Sequence, residues 1–166
     1  MPAHEQNRHL LHHWREAVPD DRLAHLIRDV ARAQMRALQQ RLSAHDVSFG
    51  HWTFLRILWI KDGQTQRELS ELAGVMEPTT FAAVKAMEAM GLIERRQLPG
   101  NRKNIHIFLT PAGRRLEKLL VPLAEEVNRV SVAGIPEKSI ATVRKCLLAM
   151  IENLAAEEAA AGEAGG

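Results

Sequence analysis

Two sets of residues in this chain carry groups that can do chemistry: cationic side chains gathered in one stretch, and imidazoles and a thiol outside it. Between Lys85 and Lys118 stand eight bases (Lys85, Arg95, Arg96, Arg102, Lys103, Arg114, Arg115, Lys118) against three acids (Glu88, Glu94, Glu117). Over the whole chain 22 Lys and Arg face 20 Asp and Glu, a formal net charge of +2. The positive field is therefore local, which is the electrostatic footprint of a phosphate-binding face. Its sharpest point is Pro99-Gly100-Asn101-Arg102-Lys103, set between a short run ending at Gln97 and the alternating Ile105, Ile107 and Leu109. Pro and Gly punctuate and period-two alternation marks a half-buried strand, so this reads as a hairpin with a cationic tip. A solvated turn looks the same, and what precedes the hairpin has to decide between them.

The other reactive groups point less clearly to a site. His9, His12 and His13 have the i, i+3, i+4 spacing of one helix face and can bind zinc, but only Glu5 and Glu16 stand near as further ligands. A polar arm packed on a partner subunit is the plainer reading. Cys146 sits in the apolar run Lys145-Cys146-Leu147-Leu148, where a small buried hydrophobe is expected before a redox switch. A single cysteine excludes an internal disulfide and suits a reducing compartment. No GxSxG, phosphate-cradling glycine loop or HExxH occurs, so neither an enzyme nor a metal or cofactor site is expected. No apolar run approaches the roughly 18 residues of a membrane span, and MPAHEQNRHLLHHW is too polar for a secretory signal. A cytoplasmic chain without membrane contact is expected.

The elements that must position these groups follow from periodicity and punctuation. Residues 20–42 carry Leu23, Leu26, Ile27, Val30, Leu38 and Leu42 at helical spacing after Pro19. A second helix, from about His51 to Ile60, presents Trp52, Leu55, Ile57, Leu58 and Trp59 over a surface wide enough to be buried on more than one side. Thr65-Gln66-Arg67-Glu68 is a capping box that starts a third, which Gly74 stops. After the short turn Gly74-Val75-Met76, Glu77-Pro78 opens a fourth, with Thr80, Val84 and Met87 as its buried stripe and Gly91 at its end. Two strands, Leu92 to Gln97 and Ile105 to Leu109, form the hairpin. Thr110-Pro111 then caps a helix to about Val132, and a last helix follows Ile135-Pro136 with Ile140, Val143, Leu147, Leu148, Ile151 and Leu154.

Helix, turn, helix and hairpin in this order make a winged helix-turn-helix, whose second helix can enter a major groove while the hairpin reaches an adjacent minor groove. With Thr80, Val84 and Met87 inward, the helix presents Pro78, Thr79, Phe81, Ala82 and Lys85 outward. Thr79 can donate to a phosphate or base edge, Phe81 and Ala82 can meet thymine methyls, and Lys85 can pair with phosphate or guanine. Thr65, Gln66 and Arg67 at the start of the first helix of the pair, Arg95 and Arg96 on the hairpin, and Asn101, Arg102 and Lys103 at its tip complete the candidate DNA-binding set. An arginine at the tip suits the negative potential of a narrow minor groove.

The run TQRELSELAGVMEPTTFAAVKAMEAMGLIERR followed by NRKNIHIFLTPAGRRLEKLL resembles the MarR-type bacterial transcriptional regulators, over roughly residues 20–150. The fold implied is mainly α with a small β-hairpin wing (α+β), a winged helix-turn-helix flanked by N- and C-terminal dimerisation helices. As one domain over 1–166, it divides into an arm and dimerisation helix (1–46), the winged helix-turn-helix (47–110), C-terminal dimerisation helices (111–156) and a disordered tail (157–166). The resemblance implies a homodimer on a palindromic double-stranded operator, acting as a repressor that a small aromatic carboxylate or its coenzyme A thioester releases. It places the effector near Phe49, His51, Trp52 and Arg56, with His12, Trp14 and Arg15 from the N-terminal arm closing the pocket. The family's wing usually carries Asp-x-Arg; here Arg102 matches the arginine, but no Asp stands two residues before it. A metal- or redox-responsive regulator and a winged-helix protein-interaction module without DNA binding are the alternatives.

Overall fold

The computed structural model describes residues 11–12 and 23–164. His9, His13, Trp14 and Arg15 lie outside the described residues, as do the side chains of Asn101, Arg102 and Lys103. The chain divides into two compact units, 1–128 and 129–166, and the division falls inside a single long helix.

In the first unit, α1 (Leu23–Leu42) leads through a short 3-10 turn to α2 (Phe49–Ile60). The start of α2 lies two residues ahead of the expected His51 because Ser48, extended at φ −80°, caps it by accepting a 3.1 Å hydrogen bond from His51 N. Strand β1 (Gln64–Thr65), α3 (Gln66–Ala73), α4 (Glu77–Ala89), β2 (Ile93–Leu98), β3 (Asn101–Leu109) and α5 (Pro111–Ser131) follow. The outward-reading pattern of α4 holds, with Thr80, Val84 and Met87 fully buried. They join Leu42, Leu55, Leu58, Leu69, Ile93, Ile107 and Leu120 in one core, so α1 to α5 and the sheet share a single apolar interior.

The expected two-stranded wing is a three-stranded antiparallel sheet, ordered β1-β3-β2. Thr65 must be extended to cap α3, at φ −73° and ψ 161°, and that same backbone pairs with His106 while Gln64 pairs with Ile107. The turn is also tighter than expected. Pro99 and Gly100 alone make it, Gly100 supplying φ +83°, so that Leu98 already pairs with Asn101. Arg102 and Lys103 therefore belong to β3 and not to the loop. The register then shifts, since Gln97 pairs with Ile105 while Leu98 pairs with Asn101, an irregularity in the ladder just past the turn.

At the base of the wing, α5 comes in against backbone. A Cβ on Gly113 would stand 2.1 Å from Leu92 O, so only glycine permits this approach. In the second unit, α6 (Glu137–Ala164) runs through residues 157–164, which were expected to be a disordered tail. Alanine and glutamate, which dominate that stretch, are among the best helix formers. No described residue of α6 is buried, and Val143, Leu148, Ile151 and Leu154 are exposed along it.

Candidate nucleic-acid interface

Two buried hydroxyls join α3 to α4. Ser70 Oγ lies 2.9 Å from Gln66 O and 2.8 Å from Thr80 Oγ1. A hydroxyl has one proton, so if Ser70 donates to the carbonyl, Thr80 must donate to Ser70. Nothing in local sequence signals this pair; it exists because the short Gly74-Val75-Met76 turn, with Gly74 at φ +65°, folds one helix across the other.

On the outer side, Pro78, Thr79, Phe81, Ala82 and Lys85 are all exposed, Phe81 at 50%. Lys85 carries no ion pair among the described residues, whereas several other candidates are already engaged. Thr65 is fully committed to the cap: its Oγ1 accepts from Glu68 N at 3.2 Å and donates to Glu68 Oε2 at 2.8 Å, and its N donates to the same carboxylate at 2.7 Å. These bonds, the backbone one first, hold the Glu68 carboxyl below its usual range. Gln66 is half-buried beside it. Arg67 pairs with Glu71 across one helical turn at 2.9 Å, an open pair that exchanges readily for a phosphate.

The wing bases have partners as well. Arg95 meets Glu88 of α4 at 2.6 Å, a bond that raises the guanidinium and lowers the carboxyl. Arg96 pairs with Glu94 and lies 5.1 Å from the centroid of the Phe108 ring. Arg114 is bound by Asp62, whose other oxygen accepts from Leu109 N at 2.9 Å. Asp62 thus ties the end of α2 to both β3 and α5. Sequence reasoning missed it, because an acid after a helix looks like any solvated residue. His106, also missed, has Nδ1 2.8 Å from Gly63 O and its Nε2 buried. The positive field read from composition is thus partly neutralised in place. Lys85 stays exposed on α4, and the backbone of Arg102 and Lys103 stands in β3 just past the wing turn.

A cleft of about 430 Å³ opens between α1, α2 and α5. Phe49, Trp52 and Arg56 line it, together with Ala31, Met35 and Leu38 of α1 and Val121, Ala124 and Glu125 of α5. His51 does not line it. Positions 49, 52 and 56 share one helix face, and 51 is turned well away from that face. His51 is instead half-buried with Nδ1 unpartnered, and desolvation lowers its pKa. His12 is exposed and is not part of the cleft wall. Trp52 packs edge-on against Trp59, centroids 5.5 Å apart, and Trp59 Nε1 donates to Gly113 O at 3.0 Å. Among the described residues no three His, Cys, Asp or Glu side chains are grouped to hold a metal ion, and Cys146 is exposed, not buried as its apolar neighbours suggested, since no described residue of α6 is buried. No described helix is long and apolar enough to cross a membrane.

Comparison with known proteins gives this geometry relatives. The model of the MarR family matches residues 47–105, from the last turn before α2 to the middle of β3. A solved transcriptional regulator designated PA3341 is 30% identical and superposes with a TM-score of 0.72, covering 80% of this chain and 98% of that one. A MarR-family regulator from Listeria monocytogenes, solved in complex with a 26mer DNA, is 26% identical at a TM-score of 0.75, covering 82% of this chain and 91% of that one. Among curated proteins, the regulator TtmR of Methylorubrum extorquens is 24% identical over 136 residues; these cover 82% of this chain but only 65% of TtmR. These relatives are regulators and not enzymes. With its winged helix-turn-helix and an alignment that runs nearly the full length of a solved regulator, the chain belongs to the MarR family of transcriptional regulators.

Proposed function

We propose that the chain works as a homodimeric repressor on a palindromic operator, released by a small planar carboxylate or its coenzyme A thioester. The observation that carries this is the pairing of an exposed α4 face, free of core duties, with a wing whose turn is followed by Asn101, Arg102 and Lys103. The relative solved with a 26mer DNA supports the same use of these elements. A dimer is what α6 calls for: Val143, Ile151 and Leu154, each more than half exposed, form an apolar surface that the chain leaves in water. A second copy would bring two recognition helices to two half-sites.

The cleft is the site proposed for the effector. Its volume falls within the range of small-molecule sites, about 300 to 1,000 Å³, and its walls are apolar and aromatic with few polar groups. Arg56 is the cation there that a carboxylate would meet, and Trp52 and Phe49 offer faces to a ring. Its walls come from α2 of the winged helix and from α1 and α5, so occupancy can shift the one against the others.

The test has two arms. Gel shifts against duplexes selected from a random pool by the full-length chain should give a palindromic site bound by a dimer. A thermal-shift screen of aromatic acids, their coenzyme A thioesters and zinc should find an acid or thioester that raises stability and releases that duplex. Failure to select any duplex would overturn the DNA-binding reading, and release by zinc alone would replace the effector class.

A further inference from the structure

We infer that this chain reads its operator in the major groove chiefly through thymine methyl groups, with Phe81 as the specificity-determining residue of α4. The inference rests on the DNA-binding reading above and specifies what that surface recognises.

The argument starts from what the face lacks. Pro78, Phe81, Ala82 and Lys85 fall at i, i+3, i+4 and i+7, one stripe opposite the buried Thr80, Val84 and Met87. Bidentate recognition of guanine uses an arginine or a lysine, and of adenine the amide of Asn or Gln. Helix α4, from Glu77 to Ala89, contains no Arg, Asn or Gln. Its two acids are turned to other partners: Glu88 is held by Arg95, and Glu77 is close enough to Arg67 to favour the guanidinium charge. What remains is the Thr79 hydroxyl, the Lys85 ammonium at the far end, and an apolar surface in which Phe81 is the largest group, half exposed. The chemical feature of the major groove that an apolar surface can distinguish is the C5-methyl of thymine, and adenine, guanine and cytosine present none. A phenyl ring left in water on the helix that enters the groove is matched to it.

The same reasoning extends to modified DNA. The C5-methyl of 5-methylcytosine projects into the major groove as that of thymine does, so it should substitute at the contacted position where cytosine fails.

The experiment uses a duplex selected from a random pool by the full-length wild-type chain, resynthesised with uracil in place of each thymine in turn. Uracil keeps every hydrogen-bonding group and lacks only the methyl. Wild type should lose about fourfold in affinity at one or two positions per half-site, the amount expected for one methyl group left in water. Phe81→Ala should bind the thymine duplex more weakly and show no further loss with uracil, and 5-methylcytosine should bind wild type more tightly than cytosine at the same position. Because Phe81 lies outside the core, the variant should melt as wild type does. The uracil series on wild type stands even if it does not. Uniform tolerance of uracil, within twofold at all positions, on a duplex that is otherwise bound would overturn this inference and leave DNA binding intact. Failure to select a duplex would overturn the reading beneath it.

Discussion

Replacing each of the two hydroxyls that join α3 to α4, alone and together, should give costs that do not add. Ser70 and Thr80 are 5% and 0% exposed, so neither has water to fall back on. Thr80→Val keeps the shape and removes a donor, while Ser70 still donates to Gln66 O at 2.9 Å. No buried donor is stranded, and the cost is that of one net hydrogen bond, about 1 kcal/mol. Ser70→Ala is different. It leaves the Thr80 O–H buried without the acceptor it had at 2.8 Å, which adds a desolvation penalty and brings the cost to about 2 kcal/mol. In the double variant no orphan remains, so the total should return to about 1 kcal/mol, a coupling of roughly −2 kcal/mol. Urea unfolding at fixed protein concentration measures this as midpoint shifts at constant slope, on the order of 1 M for Ser70→Ala with a slope of about 2 kcal/mol/M. If Thr80→Val costs as much as Ser70→Ala, or the two costs simply add, the assignment of donor and acceptor is wrong. Since the pair joins α4 to α3, Ser70→Ala should also weaken operator binding more than its loss of stability accounts for, whereas Thr80→Val should not.

Gly113→Ala should cost about 1 to 3 kcal/mol, because its Cβ would meet Leu92 O at 2.1 Å and α5 must move off the wing; an unchanged melting temperature would show that the approach is looser. His51 has its pKa lowered by burial, so between the unfolded value of 6.5 and the lower folded value the unfolded chain binds more protons and stability falls as pH falls. Melting temperatures across that window should drop less in His51→Gln, and parallel curves would rule His51 out as the cause. Arg102→Ala should leave the fold intact, weaken operator binding by roughly 1 to 3 kcal/mol per subunit, and lower the salt slope by about one for each phosphate it no longer neutralises. Equal affinity and slope would make the tip a solvated turn. Removing residues 137–164 should abolish the dimer, and sedimentation of the truncated chain as a dimer would refute the role given to α6.

The local chemistry of this protein was readable from its sequence. The capping box of Thr65 and Glu68, the glycine stop at Gly74, and the Thr80, Val84 and Met87 stripe are each decided by residues within a turn or two, which is why they stand where periodicity placed them. The Pro99-Gly100 turn was legible too, although its tightness, and so the entry of Arg102 into β3, depended on which residues pair across it. What only the tertiary structure decided is which distant groups meet. Gln64 and Thr65 became a strand because β3 offered them an open edge. Charge counting made Arg95, Arg96 and Arg114 free cations, and folding set Glu88, Glu94 and Asp62 against them. His51 shares a helix with Phe49, Trp52 and Arg56, yet the cleft has its other walls on α1 and α5, more than ten residues away in sequence on either side. The physical reason is one of range. Caps, turns and helix faces are set by interactions between near neighbours, whereas an ion pair, a strand partner or a cavity wall depends on where the burial of the whole apolar core carries the backbone.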